Sequence, residues 1–163
     1  TSLNFALGMI AEGAEGETKE VLCNYLGTDD FASYAKEYLN KIKEYNTEDE
    51  SYGYKSKLKI ADAVWVDNNL TLQEEFKNSV TNGFGAEVEN VDFSAAEKTC
   101  GIINSWCDKN TEGLIPKIIT PDLINDTTGL CLTNSLYFES GWSGEPWNVS
   151  DTEESFGKKE KTK

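Results

Sequence analysis

The sequence predicts a mixed α/β (α+β) fold in which helices are layered with a few long strands. Three observations carry that reading. Apolar residues recur at helical spacing in several separate stretches. Leu58 to Val66, LKIADAVWV, is rich in β-branched and apolar residues on both faces, as in a central strand covered on both sides. Leu130 to Phe138 is the strongest strand signal in the chain, and helices interleaved with a few long strands make a layered α/β architecture.

Taken in order, Leu3, Ala6, Leu7 and Ile10 stand at i, i+3, i+4, i+7 and predict a mostly buried helix stopped at Gly13. A second helix opens near Glu17 and Thr18, carries Val21, Leu22, Tyr25 and Leu26 on one side, and closes at Gly27. A third, capped by Asp29 or Asp30, bears a stripe of Phe31, Tyr34, Ala35, Tyr38, Leu39, Ile42 and Tyr45. The acidic run Glu48-Asp49-Glu50 reads as a solvated loop, since it lacks the spacing of a calcium cage. After the Leu58–Val66 strand, a helix crosses Leu72, Phe76 and Val80 and ends near Gly83 and Gly85. Glu87 to Val91 is a short strand. The next helix runs from Ser94 or Ala95 to Asn110, with Ala96, Thr99, Ile103 and Trp106 on its core side and Gly113 beyond its end. The polar end from Gly157 to Lys163 reads as a tail or as a hairpin interrupted in its second strand.

Composition excludes several function classes. Fifteen basic residues, all lysine, oppose 29 acidic ones for a net charge of −14, a field that repels nucleic acid and anionic lipid. Neither partner is expected. There is no histidine, so Ser-His-Asp and Cys-His catalysis and the commonest zinc ligand are all missing. An enzyme using paired carboxylates would need two acids singled out in one pocket, and none is marked by an apolar setting. Cys23, Cys100, Cys107 and Cys131 contain no CxxC pair, so no metal site is expected. Cys100 and Cys107, seven apart on a helix, stand about 10 Å apart, too far for a disulfide. All four read as small apolar free thiols. No apolar run approaches the ~18 residues of a bilayer-crossing helix, and Thr1 is not followed by a signal-peptide pattern. The only methionine is Met9, so the chain is expected to be processed or cut from something longer.

One position interrupts its own pattern. Leu130, Leu132, Asn134, Leu136 and Phe138 share a face by period two, and only Asn134 is polar. A buried amide left unpaired costs about 1–3 kcal/mol, so a hydroxyl or backbone partner is expected opposite it.

Five blocks along the chain resemble the signature segments of one protein family. Ile103-Asn104-Ser105-Trp106 with Thr111-Glu112-Gly113-Leu114-Ile115-Pro116 is similar to the family's INSWV…TEGKIP, at the end of its helix F. Leu132-Thr133-Asn134-Ser135-Leu136-Tyr137-Phe138 with Gly141 and Trp142 resembles LVNALYFKGKW, in the third strand of the large sheet A. Ala6-Leu7-Gly8-Met9-Ile10, Gly13-Ala14 and Gly16-Glu17-Thr18 resemble ALxMLxxGAxGxT, the passage from helix B to helix C. Leu58 to Trp65 is similar to LKIANALW in the second strand, and Phe84-Gly85-Ala86-Glu87 with Val91-Asp92-Phe93 to the stretch between helices E and F.

The family that these blocks resemble is the serpins. The resemblance implies helices packed on part of a large central β-sheet, sheet A, with residues 1–163 as the N-terminal part of one serpin domain, from about helix B through the third strand of sheet A and the start of the following hairpin. It implies Ser2 and Asn134 as the hydroxyl and amide of the family's shutter, and Trp142 as its breach tryptophan. Trp106, beside Asn104, would be the helix F aromatic that packs over the sheet. It further implies a suicide inhibitor of serine or cysteine proteases that needs no cofactor and supplies no catalytic residue. The protease cleaves a reactive-centre loop, and that loop inserts into sheet A as a new strand. No segment here resembles the loop, so the fragment alone is expected not to inhibit, and no scissile residue can be named. A non-inhibitory serpin, acting in storage, transport or chaperoning, is the alternative, and the missing hinge would separate the two. The implied partners are a target serine protease, the remaining serpin segments and, through the sheet edge, other copies of the chain. Asn69-Leu70-Thr71, Asn125-Asp126-Thr127 and Asn148-Val149-Ser150 are glycosylation triplets that chance also produces. The family leaning is toward an extracellular or cell-surface location.

Overall fold

A computed structural model of the 163-residue chain describes residues 2–46, 56–141, 154–156 and 160–162. Trp142, the acidic run 48–50 and the Asn148 triplet lie outside the described residues.

Among the described residues five α-helices and five strands follow in the order α1 (Ser2–Gly13), α2 (Gly16–Leu26), α3 (Phe31–Tyr45), β1 (Ser56–Asp67), α4 (Glu74–Phe84), β2 (Glu87–Val91), α5 (Ala96–Asn110), β3 (Leu130–Ser140), β4 (Glu154–Phe156) and β5 (Glu160–Thr162). The main sheet has the order β2-β1-β3. β1 and β2 are parallel with α4 as their crossover, whereas β3 runs antiparallel to β1, from Ser56 opposite Ser140 to Val66 opposite Leu130. β4 and β5 pair antiparallel as a two-stranded ribbon at the polar end.

β1 is central and covered on both faces. Ile60, Val64 and Val66 turn to α1, α3 and α4, where Phe5, Met9, Phe31, Ala35, Val80 and Phe84 form one core. Ala61, Ala63 and Trp65 turn to α5, where Phe93, Cys100, Ile103, Trp106 and Cys107 form another. The two-sided apolar pattern of β1 is the direct cause of these two cores.

Local signals set the helix ends. Asp30 caps α3 by accepting the Ser33 N–H at 3.1 Å. Gly27 and Gly85 close α2 and α4 in the left-handed region, with φ of 76° and 65°, where a side chain would be strained.

Three expectations about faces are corrected. In α1 the buried residues are Phe5, Gly8, Met9 and Ala11, while Leu3 is 64% exposed and Ile10 is also exposed. The helix is apolar on nearly every side, so two stripes compete. The winning one contains Gly8, whose missing side chain lets two rings approach the backbone. A Cβ there would lie 2.2 Å from Phe31 Cδ1 and 2.9 Å from Phe84 Cε1. In α2 nothing is buried, and Val21 and Tyr25 face outward. In β3 the apolar face is only partly covered: Leu132 packs on the α1 side, but Leu130, Leu136 and Phe138 are exposed, Phe138 at 65%. Its opposite face, with Thr133 and Ser135 buried, is the better covered one. β3 is an edge strand among the described residues, so periodicity marks both of its faces but burial reaches only what the neighbouring helices overhang.

Candidate functional site

Where α1 begins, it meets the middle of the sheet. The Ser2 hydroxyl donates to Asn134 Oδ1, and Asn134 Nδ2 donates to Asp62 Oδ1 at 2.7 Å. Asp62 and Asn134 stand directly opposite each other in the β1–β3 register. One chain of side-chain hydrogen bonds therefore ties three elements separated by up to 132 positions in sequence. Asn134 is half-buried rather than fully buried, the shielding being limited by the strand's edge position. A hydroxyl partner of the expected kind is present in Ser2, and the Asp62 carboxylate beside it is a second partner of a different kind.

Asp62 was not anticipated. It is the most thoroughly buried carboxylate of the described residues, 1% exposed, and its second oxygen, Oδ2, has no hydrogen-bond partner among them. Burial pushes its carboxyl up to about 6, against a smaller opposing pull from the Asn134 hydrogen bond. Two signals in the sequence pointed to it. Asp62 is the single charge between Ile60 and Val66 in a strand apolar on both faces, so it had to be buried whichever way it turned. It is also one of two places where LKIADAVW departs from LKIANALW, which has a neutral amide there.

On the other face, the Trp65 indole donates to Thr133 Oγ1 at 2.9 Å in a buried bond. Trp106 of α5 lies edge-on to Trp65 at 6.1 Å between ring centroids. Asn104 faces away from that contact: its Oδ1 accepts the N–H groups of Ile118 and Ile119, at 2.8 and 3.1 Å, and its Nδ2 donates to the Ile119 carbonyl at 3.0 Å. Asn104 thus clamps the segment after α5, while Trp106 alone of the pair packs on the sheet. Thr111 finishes α5 by donating to the Cys107 carbonyl and accepting from the Ile115 N–H.

The chemistry available here is hydrogen bonding and packing. All four cysteines are free thiols, and burial raises those of Cys100, Cys107 and Cys131, which disfavours the nucleophilic thiolate. Among the described residues no cluster of three acids or thiols is arranged to hold a metal, and no helix is long and apolar enough to cross a membrane.

Comparison with known proteins gives this geometry its context. The family model described as serpin (serine protease inhibitor) matches residues 1–163. Among curated proteins the chain is similar to Serpin-ZXA of Oryza sativa subsp. japonica, 33% identical over 154 residues, and to human neuroserpin, 31% identical over 149. The first match covers 94% of this chain and 39% of the rice protein; the second covers 88% and 35%. Among solved structures it is similar to Arabidopsis AtSerpin1 in its native stressed conformation, with a TM-score of 0.70 at 28% identity over 85% of this chain and 35% of that one. It is equally similar to cleaved Serpin 42Da, with a TM-score of 0.69 at 26% identity over 83% and 34%. The chain thus spans under two fifths of the length of these relatives and yet matches the family model throughout, and it belongs to the serpin family.

Proposed function

We propose that this chain is the N-terminal, sheet-forming part of a serpin that traps serine or cysteine proteases as a suicide substrate. The observation that supports it best is the outer edge of β3. Eleven residues long, β3 is paired on its β1 side only among the described residues, which leaves a row of backbone donors and acceptors where a further strand can add. In a serpin that place is taken by the next strand of the sheet or by the inserted loop, and insertion drags the acylated protease away from its working geometry.

Similarity at nearly the same level to a native stressed serpin and to a cleaved one, TM-scores 0.70 and 0.69, supports a further step. This portion acts as the scaffold against which the loop moves, and the Ser2–Asn134–Asp62 chain acts as the shutter holding β1, β3 and α1 together. No segment of the 163 residues resembles the family's protease-recognising loop, and the prediction is that by themselves they do not inhibit. The test is titration of the full-length protein and of this segment against a panel of serine and cysteine proteases. A detergent-stable covalent complex with the full-length protein only is expected. A complex formed by the segment overturns the assignment of the loop elsewhere. Cleavage of the full-length protein by every protease without complex formation replaces inhibition with a storage, transport or chaperone role.

A further inference from the structure

Asp62 is a carboxyl group in a place that disfavours its charge. It is 1% exposed, one oxygen is held by Asn134 and the other meets no donor among the described residues. An ionised oxygen left in that state forfeits its hydration without replacement, whereas a protonated one has little to lose. Asn134 Nδ2 can donate to Oδ1 in either protonation state and by itself favours the ionised one, so it is the burial and the unpartnered Oδ2 that favour the neutral form.

We propose that Asp62 is a proton-operated latch, which fastens β1 to β3 and α1 through Asn134 and Ser2 when it is neutral and loosens that junction when it ionises. The elements around it bring no compensating charge among the described residues. α1 carries one ionisable side chain, Glu12, which accepts from Ser79. On β1 and β3 the ionisable neighbours Lys57, Lys59, Tyr137 and Glu139 occupy odd positions, on the α5 face, whereas Asp62 and Asn134 occupy even ones. Lys57 pairs with Glu112 and Tyr137 donates to Glu139. The charged residues of α3 and α4, which pack over the Asp62 face, are exposed. α5 covers the other face of the sheet. Nothing in the surroundings therefore holds the carboxylate ionised except the single Asn134 bond, and its titration moves up to about 6.

The direction follows from proton counting. A folded-state value above the unfolded one, 3.8, means that the folded protein binds the extra proton between the two. The latch is closed at the acid end and its contribution is lost as pH rises through about 6.

The experiment uses the full-length protein and its Asp62→Asn variant, which keeps the shape and cannot ionise. Thermal unfolding is followed from pH 4.5 to 8, with the pH trend of the remaining acids cancelled by subtraction. The expected result is that the variant's advantage over the parent grows by a few degrees as pH rises from 4.5 and levels off above about 6. A difference that is constant across the range overturns the latch. Carbon-13 titration of the aspartate carboxyls in the parent keeps the proposal testable should the variant fail to fold: a midpoint near 6 for Asp62 supports it, and one in the ordinary aspartate range overturns it. Both readouts concern unfolding and proton uptake, so they can fail while inhibition of proteases stands.

Discussion

Single side chains at the centre of the sheet carry unequal weight, and the inequality is predictable. Asn134 is the hub, accepting from Ser2 and donating to Asp62. Its replacement by Ala removes both bonds and strips Asp62 of its one partner, for a loss of roughly 2–4 kcal/mol near neutral pH. The loss shrinks at pH 5, where Asp62 holds a proton, so chemical denaturation at the two pH values distinguishes a latch from a mere space-filler. Ser2→Ala removes one bond at a half-buried site and costs about 1 kcal/mol. On the other face, Thr133→Val leaves the Trp65 indole N–H buried without an acceptor, and destabilisation of about 1–2 kcal/mol is expected at every pH. Periodicity revealed Asn134 because a polar residue among leucines is conspicuous on one face of a strand. It did not reveal Asp62, because attention to a strand apolar on both faces averaged a single charge away. What no pattern in one strand could supply is that residues 62 and 134 stand opposite each other, since register depends on how two distant strands slide together.

At the scale of elements, the sequence located nearly every helix and strand because stops and caps are local chemistry: Asp30, Gly27 and Gly85 act on the turn they belong to. Which face each element buries was less legible, and α1 shows why. Its two apolar stripes are equally good amphipathic patterns, and the choice falls to the tertiary contact at Gly8. Gly8→Ala is therefore expected to destabilise by roughly 1–3 kcal/mol, the range for overpacking, because the Phe31 and Phe84 rings must both retreat. Gly83→Ala should be worse, since the new methyl would meet Ala32 at 2.7 Å from its Cβ and 3.0 Å from its Cα, and backbone cannot turn aside as a ring can. Gly101 is the control. It lies on the exposed face of α5 with nothing within 4 Å of a built Cβ, so Gly101→Ala gains helix propensity and stabilises by about 0.5–1 kcal/mol. Three melting curves decide the ordering, and a destabilising Gly101→Ala would show that α5 packs against something on that face.

For the molecule as a whole, the governing fact is a sheet edge left open among the described residues of a chain with abundant charge. β3 presents one unpaired edge among the described residues, and beside it Leu130, Leu136 and Phe138 of β3 and Leu3 and Ile10 of α1 remain exposed. Made alone, the 163-residue segment should associate through that edge, because backbone hydrogen bonds and apolar contact offer themselves together along eleven residues. Its net charge of −14 opposes the approach. That repulsion acts between exposed charges and is screened beyond about 8 Å at physiological salt, whereas the attractive terms operate at contact and survive added salt. Association should accordingly increase as salt is raised from low ionic strength. A peptide able to add as a strand beside β3 should suppress it by occupying the same donors and acceptors, and a scrambled peptide of equal composition should not. Sedimentation at two salt concentrations, with each peptide, measures both effects. A monomer with a cooperative melt, indifferent to salt and to either peptide, would mean that the edge of β3 is already closed by some other part of the chain and is not the place where a further strand inserts.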